Sequence, residues 1–254
     1  MAEKPDSQFL KDGYETFAFS NRQELADLRH RFVEQFDRLS RFHGLDPIGD
    51  DAGIAALYRS AHRDLWVAVV DQLPFLPEVM GLSGNAQLID RAKRCGVREP
   101  ALGCVGPTIL ANMPSDDQFL YASHQDISFI PGSLNSVTIW IPLQDTHKEL
   151  CSLEVIPGSH LKGLLRHNGE RDVKMSRLVP MPADTDLIAV PVKLGQALIF
   201  SKFLVHRSGH NRTDAVRFSI QVRFNDLDSP EYARRKLSLA PLEPNSDCIY
   251  GHDI

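Results

Sequence analysis

Residues 205–224 read VHRSGHNRTDAVRFSIQVRF. In the second half of this stretch Val216, Phe218, Ile220, Val222 and Phe224 alternate with Arg217, Ser219, Gln221 and Arg223. Period two over so many residues predicts a strand with one apolar and one polar face, at 215–224. A polar face carrying two arginines and a glutamine suits a barrel or sandwich with a polar patch inside. Before it, Gly209, Asn211 and Asp214 form a turn-rich link back to His206. A hairpin there brings Arg217 beside His206.

Working outward, short β-branched and aromatic segments recur at 106–112, 124–130, 136–143, 152–156, 187–192 and 196–200. Pro and Gly punctuate them, as in IPGS (130–133) and IPGS (156–159). Many short strands with turns between them predict a jelly-roll or related barrel. The N-terminal part reads differently. GYETFAF (13–19) predicts a short strand, and Leu25, Leu28, Phe32, Phe36 and Leu39 make one apolar stripe on a helix over 22–42. Asn21 or Ser20 is placed to cap it. Further helices are expected near 51–73 and 84–95, parted by Leu73–Pro77. The expectation is therefore an α+β chain, mainly β, in one domain over 1–254: helical support at 1–104, the jelly-roll core at 105–228 and a tail at 229–254.

Composition narrows the function. The 254 residues are 43% hydrophobic and 24% charged, an ordinary globular balance, with a net charge of −5. That charge favours neither nucleic acid nor an anionic membrane as partner. No leader or membrane-spanning stretch is legible, so a soluble, cytoplasmic protein acting on a small molecule is expected. Cys95, Cys104, Cys151 and Cys248 form no close pair and read as free thiols. Nothing in the sequence sets an oligomeric state.

The chemistry centres on His124-Gln125-Asp126. On a strand, residues i and i+2 point the same way, so His124 and Asp126 can reach one metal ion. With His206 as third ligand they form the two-histidine, one-carboxylate face that leaves positions open on iron(II). A lone His-x-Asp is weak, and a second copy, His62-Arg63-Asp64, falls in the helix expected over 51–73, where the two side chains diverge. The first copy gains from its company. Arg217 offers a guanidinium fork for a carboxylate near the metal, and Ser208 a further hydrogen bond. Arg212 lies in the turn and Arg223 well along the strand, so Arg217 is the better placed. His210, His147 and Glu149 read as loop surface. His160 either shapes the loop after a strand or lines a pocket.

The stretches SHQDISF (123–129), VTIWIPL (137–143), SLEVIPGSH (152–160) and VHRSGHNRTDAVR (205–217) resemble the phytanoyl-CoA dioxygenase family of iron(II)/2-oxoglutarate enzymes, in order and spacing. The resemblance implies a double-stranded β-helix core with helices packed on one side. It implies His124, Asp126 and His206 as iron ligands, and Arg217 with Ser208 on the distal carboxylate of 2-oxoglutarate. Gln125 and Trp140 match positions lining the active site, and Asn112 is a further candidate cosubstrate contact. Fe(II), 2-oxoglutarate and O2 are then the reactants, hydroxylation the expected outcome, and cyclisation, desaturation or epimerisation the nearest competitors. Asp126 argues against the halogenating relatives, which replace that carboxylate. A zinc hydrolase or an inactive ligand-binding barrel are the readings from other classes. Pocket walls are expected from 113–123, 144–150 and 161–185, without naming a substrate; the long connection 161–185 is a candidate lid.

Overall fold

The computed structural model describes residues 7–19, 22–103, 106–117, 120, 122–165 and 187–239. The caps expected at Ser20 or Asn21, Cys104, Cys248, most of the 161–185 connection and the tail beyond 239 lie outside the described residues. Among the described residues no single helix is long and apolar enough to cross a membrane.

Among the described residues nine strands form two antiparallel sheets. The larger runs β1 (Tyr14–Ala18), β7 (Gln196–Ser201), β4 (Val137–Pro142), β9 (Arg217–Asp226) and β2 (Pro100–Leu102), with β3 (Thr108–Asn112) also on β9. The smaller runs β6 (Ile188–Val190), β5 (Leu153–Val155) and β8 (His206–Ser208). This is the jelly-roll, double-stranded β-helix arrangement, with helices against the outer face of the larger sheet.

The alternation of β9 decides what lies where. Phe218, Ile220, Val222 and Phe224 face outward and join Ile139, Ile141 and Ile199 in a core shared with the helices. Helix α2 (Arg22–Phe42) rests there: Phe32 meets the Phe218 ring edge-on at 5.7 Å, and Leu25, Leu28 and Phe36 are buried with it. The opposite face of β9 points into the barrel. Directly opposed residues share a face, so Asn112 sits across from Arg217, Trp140 across from Gln221, and Thr138 across from Arg223. One half of the interior is apolar, built by Trp140, Leu153, Val155, Leu198 and Phe200. The other half is polar.

Several boundaries differ from expectation. The helix predicted over 51–73 is two, α3 (Asp51–Arg59) and α4 (Arg63–Gln72). Ser60 breaks it: its hydroxyl donates to Leu57 O at 2.8 Å and accepts from His62 N at 3.0 Å, replacing backbone bonds that a helix would make. The segment 124–130 is not a strand but a single β-bridge at His124 followed by a 3-10 turn at Asp126–Ser128. Nor do His206 and Arg217 belong to one hairpin, for β8 pairs with β5 in the small sheet while β9 lies in the large one. Gly209 still lies against the approach to β5, its N donating to Ser152 O at 3.0 Å where a Cβ would stand 2.6 Å from that oxygen, and the chain crosses to the larger sheet after it. Arg217 therefore reaches the interior from the wall opposite His206.

The end of β9 is pinned by Asp226, which is fully buried and accepts from Glu99 N at 2.8 Å, Asp228 N at 3.1 Å and Asn135 Nδ2 at 2.6 Å. Burial alone would raise its pKa, but these donors hold it below the usual carboxylate range. A folded pKa below the unfolded one gives stability that is present above about pH 4 and lost as pH falls through the folded value. Asp226→Asn turns an amide NH2 toward those donors and is expected to cost about 3 kcal/mol at pH 7. Urea denaturation should show the gap narrowing at pH 3; an equal gap at both values would reject the charged role.

Candidate metal centre

His124 and His206 come together through backbone pairing. His124 N donates to His206 O at 3.0 Å, and His206 N donates to His124 O at 3.1 Å. Their rings lie 4.3 Å apart between centroids. The 3-10 turn then swings Asp126 between them, with Oδ1 3.4 Å from His124 Nε2 and 3.5 Å from His206 Nε2. One ligand atom from each residue lies within 4.8 Å of the others, and all three residues are buried.

The surroundings orient each ligand. His124 Nδ1 sits 2.7 Å from Ala122 O and His206 Nδ1 3.0 Å from Leu204 O. Donation to those carbonyls puts the proton on Nδ1 and leaves the Nε2 lone pair for a metal. Burial, then the neighbouring His124, pushes His206 down to a pKa of about 4, so it is neutral near pH 7. Asp126 is held well below the usual carboxylate range: burial opposes this, but His124, Arg223 and His206 outweigh it. Its Oδ2 accepts from Thr138 Oγ1 at 2.6 Å and lies 3.5 Å from Arg223 Nε. That division leaves Oδ1 toward the histidines. A buried, mixed N/O donor set of two imidazoles and one carboxylate fits iron(II).

Arg217 is fully buried on the inner face. Its guanidinium lies 5.3 Å from the Trp140 ring centroid, Nη1 donates to Ser219 Oγ, and Nη2 lies 3.3 Å from Cys151 Sγ. Among the described residues it has no carboxylate partner, and both Arg217 Nε and Trp140 Nε1 are buried without a hydrogen-bond acceptor. Two orphaned donors beside an unpaired cation are what a missing carboxylate leaves behind. Ser208 shares the inward face of β8 with His206, and Asn112 opposes Arg217 from β3.

Gln125 is employed differently from the expected cosubstrate contact. Its Nε2 donates to Gly163 O at 2.8 Å and Phe203 O at 2.6 Å, and its Oε1 accepts from Leu165 N at 2.8 Å. The side chain thus ties the two metal-ligating positions to the start of the long β5–β6 connection. Gln125→Leu is expected to lower stability by about 2 kcal/mol or more by stranding those groups, with affinity for 2-oxoglutarate kept. Calorimetry and denaturation check both; preserved stability with lost 2-oxoglutarate binding would restore a cosubstrate role.

Of the other histidines, His160 shapes a loop: its Nε2 lies 3.1 Å from Leu10 O. Its ring fills the space beside Gly13, where φ is +82° and a Cβ would approach Nδ1 to 2.4 Å. His210 pairs with Asp117 at the surface, 2.9 Å away, and His62 is exposed before α4. Thr138 and Arg223 are contacts of Asp126 that lie outside the sequence motif. Both stand on the inner face by strand alternation, but their meeting depends on the β4–β9 register.

Comparison with known proteins agrees with this geometry. The family model described as phytanoyl-CoA dioxygenase (PhyH) matches residues 14–219. A phytanoyl-CoA dioxygenase of Arabidopsis thaliana is 28% identical over 219 residues, covering 85% of this chain and 75% of the relative. The 1-deoxypentalenic acid 11-beta-hydroxylase of Streptomyces arenae is 32% identical over 125 residues, 45% of this chain and 44% of that enzyme. In fold, the chain is similar to the non-heme alpha ketoglutarate dependent carbocyclase SnoK from nogalamycin biosynthesis, with a TM-score of 0.59 at 20% identity over 95% of each chain. The chain belongs to the phytanoyl-CoA dioxygenase family and is an oxidoreductase dependent on iron and 2-oxoglutarate.

Proposed function

We propose that this enzyme hydroxylates a C–H bond of a small-molecule substrate, with Fe(II) on His124, Asp126 and His206 and the far carboxylate of 2-oxoglutarate on Arg217. The observation that carries the cosubstrate assignment is Arg217, a buried cation with no carboxylate partner among the described residues, whose Nε is orphaned together with the neighbouring Trp140 Nε1. Asn112 opposes Arg217 across the β3–β9 pair, and Ser208 on β8 is the further hydrogen-bond donor assigned to the cosubstrate carboxylate. Iron(II), 2-oxoglutarate and O2 supply the oxidising power when bound, with succinate and CO2 released. The chain's own part is to fix the ligands, hold the cosubstrate and exclude water. A zinc hydrolase would use the same triad but gives Arg217 no anion to bind. Hydroxylation is favoured over cyclisation, desaturation or epimerisation as the default ending of this chemistry; product analysis separates them.

The test is anaerobic reconstitution with Fe(II) followed by titration with 2-oxoglutarate. A saturable visible charge-transfer band is expected as the keto acid chelates iron. No band from folded protein would overturn the assignment.

A further inference from the structure

Cys151 is a thiol to which the iron and cosubstrate assignments give no role. It is fully buried and lies between the Leu150–Asn211 bridge and β5. On that wall Val155 pairs with His206 and Leu153 with Ser208. Cys151, two residues before Leu153, is therefore farther from the metal ligands than Ser208, at the end of the interior where Arg217 lies. Its Sγ donates to Gly209 O at 2.7 Å and accepts from Arg217 Nη2 at 3.3 Å. Both the donor and the acceptor capacity of the thiol are thus used.

The backbone of Cys151 has φ +49°, in the left-handed region that favours glycine. Strain of this kind persists only where its surroundings enforce it, and it gathers at ligand clamps. Independently, Arg217 is fully buried and its Nε has no acceptor. Nη1 is held by Ser219 and Nη2 by Cys151, with the Trp140 ring centroid 5.3 Å from the guanidinium carbon. The edge that carries Nε is left for a carboxylate. A planar fork makes two parallel bonds to a carboxylate only when its plane is fixed. Contacts to Ser219 and Cys151, one at each Nη, fix it.

We propose that Cys151 is a positioning residue for the cosubstrate: its thiol sets the plane of the Arg217 guanidinium, so that the fork meets the distal carboxylate of 2-oxoglutarate. The assignment rests on the reading of Arg217 above. Cys151 then acts on the distal carboxylate alone, and not on the keto acid end that chelates the metal. Its test begins with the anaerobic Fe(II)·2-oxoglutarate band of the wild-type protein, which establishes the parent reading by itself. The same band is then titrated with 2-oxopentanoate, which has the same chain length and no distal carboxylate. Cys151→Ala is expected to weaken 2-oxoglutarate about fivefold or more, the worth of one hydrogen bond. It should weaken 2-oxopentanoate less than about twofold and leave Mn(II) affinity, measured by calorimetry, unchanged. Cys151→Ser keeps a donor and an acceptor and should recover most of the loss. Cys151→Gly, relaxed at this φ, should repeat the alanine result and takes its place if the alanine variant does not fold. Equal losses for the two acids, no loss for 2-oxoglutarate, or a serine variant no better than alanine overturns the proposal and makes Cys151 a packing residue. Absence of the band in the wild-type protein overturns the parent reading and this one with it.

Discussion

Asp126→Ala is expected to abolish turnover and to weaken metal binding by more than the roughly 10- to 100-fold that outer-shell substitutions cost. Asp126 Oδ1 stands 3.4 and 3.5 Å from the two imidazole Nε2 atoms, so its removal leaves two imidazole ligands and no negative charge to offset a divalent cation. A second effect runs through the apo protein. Arg223 loses the carboxylate it faces and becomes an uncompensated buried cation, which costs about 3 kcal/mol or more. The variant should therefore be less stable even without metal. Mn(II) calorimetry and urea denaturation of chelated protein measure the two losses separately. Unchanged metal affinity in a folded variant would remove Asp126 from the ligand set.

The parts of this site that were legible in the sequence are those written in local spacing. Strand alternation in 216–224 showed which residues of β9 face inward, and the pairing of His-x-Asp with a distant histidine pointed to the metal. What was not legible depends on contacts across the fold. His124 is extended only at one bridge because its partner is His206, and a 3-10 turn rather than a strand then aims Asp126. The Gly- and Asn-rich link after His206 has hairpin composition, yet turn residues do not say which sheet the next strand joins. Here the next strand joins the larger sheet, although Gly209 still pairs with Ser152 beside β5. The Thr138 and Arg223 contacts to Asp126 likewise follow from the β4–β9 register, which no single segment encodes. Gln125 was expected at the site because it matches a position lining the family's active site; its extended backbone turns the side chain toward Gly163, Phe203 and Leu165.

Arg217→Met should have the opposite thermodynamic signature to Asp126→Ala. In the absence of cosubstrate Arg217 is a fully buried cation with no carboxylate partner among the described residues, held by Ser219, Cys151 and the Trp140 ring. Replacing such a charge with an apolar side chain of similar length is neutral or stabilising in the apo protein. The loss appears on binding. A charge-assisted bond to a carboxylate in a buried site is worth about 3–5 kcal/mol when one partner is removed, so the dissociation constant for 2-oxoglutarate should rise on the order of 100-fold or more at 1.4 kcal/mol per decade. Metal affinity should stay close to wild type, because Arg217 contacts Ser219, Cys151 and Trp140 and not the three ligands. Thermal denaturation gives a direct reading: with 2-oxoglutarate at 100 times its wild-type dissociation constant, ligand binding adds about 2.7 kcal/mol to the wild-type protein and almost nothing to the variant. A variant that is destabilised without ligand yet still stabilised fully by 2-oxoglutarate would make Arg217 a structural cation and move the cosubstrate carboxylate elsewhere in the barrel.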